Sequence, residues 1–266
     1  MTSVSHSARS GCLFVVGTGI NSLFHLTPEA RARIELADIV LHAVPDPVAE
    51  AVIRNLNPRN ESLRGFYGEN KLRTDTYREM TQYTLAAVRG GRVVCMVFYG
   101  HPAVFVMSSH DAVQRARAEG YQAFIIPAVS AADCLFADLC IDPGEVGCQT
   151  FEATDFLLFN RRHDSRSYLV LFQVGGIGEL GYSSTGYRQH HLHLLVETLL
   201  LEYSPQHMII VYEAPTTPFG KPRIAHMPLG NLRGSNLSAA STLCVPPQGR
   251  AEMNYRMAQR LGLRPL

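Results

Sequence analysis

The chain has 266 residues, 46% apolar and 18% charged, with a formal net charge of +1. That length accommodates one large domain or two lobes sharing an interface, and the composition is that of a globular protein. With Lys71 and Lys221 as its only lysines, it lacks the concentrated positive field that holds a phosphate backbone or an anionic bilayer, which argues against nucleic-acid and membrane partners.

In chain order, the stretch 1–10 is polar and is not followed by the apolar run of a signal peptide. Residues 12–16 (CLFVV) read as a strand ending in the turn Gly17-Thr18-Gly19. Thr27-Pro28 and Asp46-Pro47 each read as an N-cap followed by proline at the first helical position. They open helices that run to about Ala37 and to the Asn57-Pro58-Arg59-Asn60 stop, with a strand over 39–44 between them. Residues 61–73 show no period and read as a loop. A helix follows from Thr74 or Thr76 to Arg89, then a strand over 92–98, a helix over 109–119 and a strand over 123–126. The second half reads as a strand over 168–174, a helix over 188–202 and strands over 208–212 and 241–245. Alternating strands and helices predict an α/β protein with largely parallel sheets and a lobe boundary near residues 144–147. No apolar run reaches membrane-spanning length. Six cysteines (12, 95, 134, 140, 148, 244) form no C-x-x-C pair and sit mostly in apolar runs, as buried reduced thiols of a cytoplasmic protein would.

Open α/β sheets bind ligands beyond the carboxyl ends of their strands. Four strand ends carry small or polar turns: residues 16–19, 99–102, 127–131 and 213–217. Together they predict a ligand cleft. Gly176-Ile177-Gly178-Glu179-Leu180-Gly181 fits the dinucleotide fingerprint, yet no helix period begins at its third glycine, so it reads as a decoy. His190, His191 and His193 would share a helix surface, but no further ligand completes a metal site. The stretch 66–77 is richer. Thr76-x-x-Glu79 matches a capping box that would place Tyr77 on the first helical turn with Arg73 beside it. A cation at a helix N-terminus favours a phenolate. Equally, Tyr77 would pack into the core while Arg73 pairs with Asp75 or Glu69.

Tyr-Gly-His-Pro-Ala-Val-Phe (99–105), Pro-Ala-Val-Ser-Ala (127–131), Glu-Ala-Thr-Asp (152–155), Gln-Val-Gly (173–175) and Arg-Thr-Asp-Thr-Tyr (73–77) together resemble the borosin peptide α-N-methyltransferases of the tetrapyrrole methylase superfamily. The likeness runs from about Gly11 to about Pro247. Its Gly100-His101-Pro102 stands where corrin and porphyrin methylases typically carry Gly-Asp-Pro. The resemblance implies two αβα lobes, residues 1–143 and 144–247, with a tail at 248–266 and the cofactor cleft between the lobes. It implies S-adenosyl-L-methionine as methyl donor and S-adenosyl-L-homocysteine as product. It places Tyr99, His101, Val104, Phe105, Ser130, Ala131, Ala132, Gln173, Ala214, Ser241 and Thr242 around the donor.

The substrate side would hold Tyr67, Arg73, Tyr77 and Tyr99. An amide nitrogen is a poor nucleophile because its lone pair is delocalised into the carbonyl. Arg73 would stabilise the charge that develops on that carbonyl oxygen, and Tyr77, with Tyr67 as helper, would take the nitrogen proton. Tyr99 would orient amide and methyl. Fungal members fuse a clasp and the substrate peptide behind the catalytic lobe, whereas this sequence stops soon after Pro246-Pro247. The expectation is therefore a split enzyme acting on a separate precursor peptide, as a homodimer with a 2:2 complex as its fullest form. The alternative is methylation of a tetrapyrrole or another small metabolite.

Overall fold

Two local signals start the first helices. The Ala30 N–H donates to Thr27 Oγ1 and the Ala49 N–H to Asp46 Oδ1, in each case just behind a proline whose fixed φ suits the first helical turn. In the computed structural model, which describes residues 11–217 and 219–263, these caps open α1 (Pro28–Leu36) and α2 (Pro47–Leu56). The polar stretch 1–10 and the last three residues of the tail lie outside the described residues. The helices follow β1 (Cys12–Gly17) and β2 (Ile39–Ala43). Next come β3 (Asn60–Ser62) and a 3-10 turn, Leu63–Phe66, where the sequence reads as a loop. Three residues are too few for an alternating pattern to show. Then α3 (Arg73–Arg89), β4 (Val93–Phe98), α4 (Met107–Ala118), β5 (Gln122–Ile125) and α5 (Ala131–Leu139) complete this part of the chain.

Its five strands are parallel in the order β3-β2-β4-β1-β5. Side chains alternate across the sheet, as the two-residue period of a strand requires. Leu13, Val15, Val94 and Met96 join Met80, Leu85 and Val113 on the face covered by α3 and α4. Val16, Val40, Cys95 and Val97 join Ala30, Ile34 and Ile53 on the face covered by α1 and α2. Adjacent strands β1 and β4 thus send their following segments to opposite faces, which opens a crevice at their carboxyl ends. Asn57 ties the α1 and α2 ends together, its buried Nδ2 donating to the carbonyls of Ile34 (2.8 Å) and Ala37 (2.9 Å). Asn57→Ala strips the donor from two carbonyls and is expected to cost about 2–3 kcal/mol, read as a lower urea midpoint at unchanged slope.

The chain forms two compact units. The first takes the described residues up to Leu139 together with Glu179–Tyr187 and Ala214–Arg223. The second contains α6 (Pro143–Val146), β6 (Cys148–Glu152), α7 (Ala153–Leu158), β7 (Tyr168–Phe172), α8 (Leu192–Leu199), β8 (Met208–Glu213), β10 (Thr242–Val245) and α9 (Tyr255–Arg260), with β9 (Arg223–Pro228) closing its sheet. Strand order is β6-β7-β10-β8-β9. β6 and β7 are parallel, but β10 runs antiparallel to both β7 and β8, so this sheet is mixed and not largely parallel. Among the described residues no α-helix separates β8, β9 and β10, so none supplies the crossover that would keep β10 parallel to its neighbours.

The helix expected over 188–202 contracts to α8, where Leu192, Leu195, Val196 and Leu199 supply one buried face. His190 and His191 precede it, so they share no helical face with His193, and no group of His, Cys, Asp or Glu suited to a metal occurs among the described residues. No helix among them is long and apolar enough to cross a membrane.

Candidate active site

The crevice at the ends of β1, β4 and β5 is built by close backbone approach. A Cβ on Gly17 would lie 2.0 Å from the Gly100 carbonyl oxygen and 2.9 Å from Ala128 Cβ, so three strand-end loops meet there. Gly19 and Gly100 exchange backbone hydrogen bonds of 3.2 and 3.0 Å, with φ of +67° and +71° respectively, a region favourable to glycine. Gly17→Ala must move backbone, and we expect a loss of at least about 2 kcal/mol together with weakened ligand binding, measured by thermal melting and calorimetry.

Tyr99 sits at the end of β4 and is half-buried. Burial first, then the neighbouring Cys134 and Asp46, push its phenol up to about 12, which keeps it a neutral hydrogen-bond donor at physiological pH. His101 Nδ1 accepts the Ala103 N–H at 3.0 Å, so in the neutral tautomer the proton resides on Nε2. Val104 and Phe105 leave apolar surface exposed, and Phe105 holds φ at 55°. Ser130 is committed to structure: its N–H and Oγ both donate to Asp133 at 2.7 Å, capping α5, whose first turn carries Ala131 and Ala132.

The capping box expected at Thr76 does not form. α3 begins at Arg73, Thr76 is buried within it, and Glu79 pairs with Lys71 Nζ at 2.6 Å. The reason lies 106 residues downstream, in a strap formed by Glu179–Tyr187. The Arg73 N–H donates to Leu180 O (3.0 Å), Asn70 N–H to Tyr182 O (2.9 Å) and Tyr182 N–H to Lys71 O (2.9 Å). Leu72 and Gly181 form an isolated β-bridge, and Glu69 accepts from the Ser184 N–H and Oγ, each at 3.0 Å. The strap therefore satisfies one of the free N–H groups at the helix start, that of Arg73.

This junction gathers Tyr67, Arg73 and Tyr77. The Arg73 guanidinium donates to the Glu179 carbonyl and lies 5.8 Å from the centre of the Tyr187 ring. Asp75 pairs with Arg78 and Glu69 with Ser184, so neither neutralises Arg73. No ion pair to Arg73 occurs among the described residues. Tyr67 and Tyr77 meet edge to face with centres 6.5 Å apart, both packed on the cluster beneath α3, and Tyr182 lies 4.8 Å from Tyr67. Burial raises both phenols. For Tyr77 the Arg73 charge and a hydrogen bond from Tyr67 pull the other way, whereas that same bond and the Tyr77 charge push Tyr67 higher still. Tyr77 is the phenol that ionises first.

In the second unit, Gln173 ends β7 with φ of 59°, and the Val174 N–H donates to Ser241 O at 3.2 Å. Ser241 is buried beside the Glu213 carboxylate, which accepts from Ser241 Oγ and from Ser238 Oγ (3.0 Å). Thr242 is buried opposite Tyr212, and Ala214 begins the segment assigned to the first unit. Asn70, Phe105 and Gln173 are three of the five non-glycine residues with positive φ among the described residues. Sequence reasoning named Asp46 only as a cap, Glu213 only as part of a strand end and Cys134 only as a thiol, and it gave the strap tyrosines 182 and 187 no role. Two tyrosines in an aperiodic, turn-rich segment were the available signal for the last.

The sequence profile of the tetrapyrrole (corrin/porphyrin) methylases matches residues 12–232. The chain belongs to that family. Among curated proteins, a methyltransferase and type I borosin cyclic peptide precursor from Coprinopsis marcescibilis is 44% identical over 90% of this chain. The dendrothelin A precursor methyltransferase of Dendrothele bispora is 42% identical over 98%, and the omphalotin A counterpart of Omphalotus olearius 40% over 98%. The chain spans 63–64% of the length of these relatives. Among solved structures, the methyltransferase CobJ superposes with a TM-score of 0.62 at 18% identity, covering 92% of this chain and 98% of its own. Uroporphyrin-III C-methyltransferase from Thermus thermophilus, in complex with S-adenosylhomocysteine, gives 0.63 at 20% identity, covering 89% and 92%. These likenesses establish the tetrapyrrole methylase fold, as expected from the sequence, and the three relatives are each a methyltransferase and cyclic peptide precursor in one protein, the first of them named a type I borosin.

Proposed function

We propose that this methylase transfers the methyl group of S-adenosylmethionine to backbone amide nitrogens of a precursor peptide. The observation that carries the reading is the Arg73 guanidinium, unpaired by any carboxylate among the described residues and adjacent to two half-buried phenols. A positive charge kept free of anions suits a site where negative charge appears only during reaction.

The strand-end crevice of the first unit fits the donor. Its exposed Val104 and Phe105 offer an apolar shelf, while Tyr99 and His101 offer hydrogen-bonding groups beside a close-packed backbone. When bound, the donor supplies an electrophilic methyl on sulfur. The residues supply the rest. Arg73 holds the peptide carbonyl oxygen and stabilises its charge as the amide becomes an imidate. Tyr77, as phenolate, takes the nitrogen proton. Nitrogen then forms the new C–N bond while the S–CH3 bond breaks and its electron pair stays on sulfur, leaving S-adenosylhomocysteine. Tyr67 donates to Tyr77 and favours its ionised form. Tyr99, held neutral, orients the amide without competing for the proton.

The test uses methyl-labelled donor with either the C-terminal precursor segments of the borosin relatives or a tetrapyrrole. Label in the peptide supports the reading. Label in the tetrapyrrole alone contradicts it. Transfer to peptide added as a separate molecule assigns the split arrangement, and transfer only to peptide joined at the C-terminus assigns the fused one.

A further inference from the structure

The mechanism above uses residues from the loop and helix around 67–77, yet the atoms that aim them come from elsewhere in the chain. Besides the guanidinium contact of Arg73, five hydrogen bonds, three of them between backbone groups, run between Glu179–Tyr187 and residues 69–73: Arg73 to Leu180, Asn70 to Tyr182, Tyr182 to Lys71, and the N–H and Oγ of Ser184 each to Glu69. This strap does not act as a plain connection. It places a carbonyl, that of Glu179, on the guanidinium of Arg73, and a ring, that of Tyr187, at 5.8 Å from the same group.

An arginine side chain has several rotatable bonds, and a single hydrogen bond to a carbonyl leaves the guanidinium plane free to turn. A second contact that favours cations but carries no negative charge fixes the plane without neutralising it, and the face of an aromatic ring does this. A carboxylate in the same place would quench the charge that the reaction needs. We infer that Tyr187 is a positioning residue: its ring, carried by the strap, holds the Arg73 guanidinium in the orientation that serves the peptide carbonyl. The inference rests on the peptide-methylating reading. Tyr187 touches neither reacting atom in that scheme and acts through Arg73. Arg73 and then Tyr67 lower the Tyr77 phenol, and Tyr187, the smallest of the three influences, raises it, so a displaced guanidinium outweighs the loss of Tyr187 itself and registers as Tyr77 ionising at higher pH.

The experiment compares Tyr187→Phe, Tyr187→Leu and Tyr187→Gln in the full chain, with peptide methylation as readout. Phenylalanine keeps the ring and is expected to retain kcat within about twofold, whereas leucine and glutamine lower kcat roughly tenfold with KM for peptide and donor little changed. The acid limb of the pH–rate profile should move to higher pH in the leucine and glutamine variants and stay in place in the phenylalanine one. In an Arg73→Ala background, Tyr187→Leu should add less than about twofold, since the two residues act as one unit. The glutamine variant carries the test should leucine disturb folding. Equal losses in the phenylalanine and leucine variants, unchanged rates in leucine and glutamine, or full additivity with Arg73→Ala each overturn the inference. A wild-type protein that places no methyl on peptide refutes the underlying reading instead, and the two failures are thereby distinct.

Discussion

Arg73→Ala is expected to lower kcat for peptide methylation by roughly 10²- to 10³-fold while donor affinity stays within about twofold, as loss of one oxyanion-stabilising donor does. The guanidinium is already placed by the Glu179 carbonyl and the Tyr187 ring and carries no ion pair with a described residue. Its charge therefore serves the developing imidate in full, with no salt bridge to break. Removal loses the side-chain contacts to Glu179 and Tyr187 but leaves the strap held through the residue 73 backbone N–H and the hydrogen bonds of residues 69–71. Folding should be nearly unaffected. The contrast between kcat and donor binding, from single-turnover rates and calorimetry, checks this. A loss confined to KM would mean that Arg73 only binds substrate.

Tyr77→Phe should cost about 10²- to 10⁴-fold in kcat, the usual contribution of a positioned general base. The sign of its pH dependence follows from the environment. Burial raises the Tyr77 phenol above its ordinary range, so the reactive phenolate is scarce at neutral pH and the wild-type rate climbs as pH rises through and beyond neutrality. Arg73 and the hydrogen bond from Tyr67 lower that phenol. Removing either influence moves the acid limb of the profile to higher pH. Tyr67→Phe should accordingly show a rate deficit that shrinks as pH increases, whereas Tyr77→Phe should lose the phenol-linked slope altogether. Stopped assays across the pH range, corrected for donor stability, distinguish the two.

Much of the fold was legible where a local rule governs it. The caps at Thr27 and Asp46 and their following prolines mark α1 and α2, because the cap bond spans only three residues. Strands β1 and β4 are unbroken apolar runs, as strands buried on both faces must be. Non-local features escaped. The start of α3 is set by carbonyls more than 100 residues away in the strap, so Thr76-x-x-Glu79 matched a local rule that tertiary contacts overrode. The reversed direction of β10 depends on the absence of a crossover helix, which the apolar pattern of the strand itself does not encode. Arg73 and Tyr77 stood out from their place at a helix start, and the likeness to a known family added Tyr67 and the catalytic roles. Spacing left open a salt bridge from Arg73 to Asp75 or Glu69, and the structure commits both carboxylates elsewhere.

The central claim, that this junction activates a peptide nitrogen, is most directly tested by tandem mass spectrometry of peptide treated with wild-type protein and S-adenosylmethionine. The account predicts fragment ions that carry each added methyl on a backbone nitrogen. Methyl groups found solely on side chains or termini would contradict it.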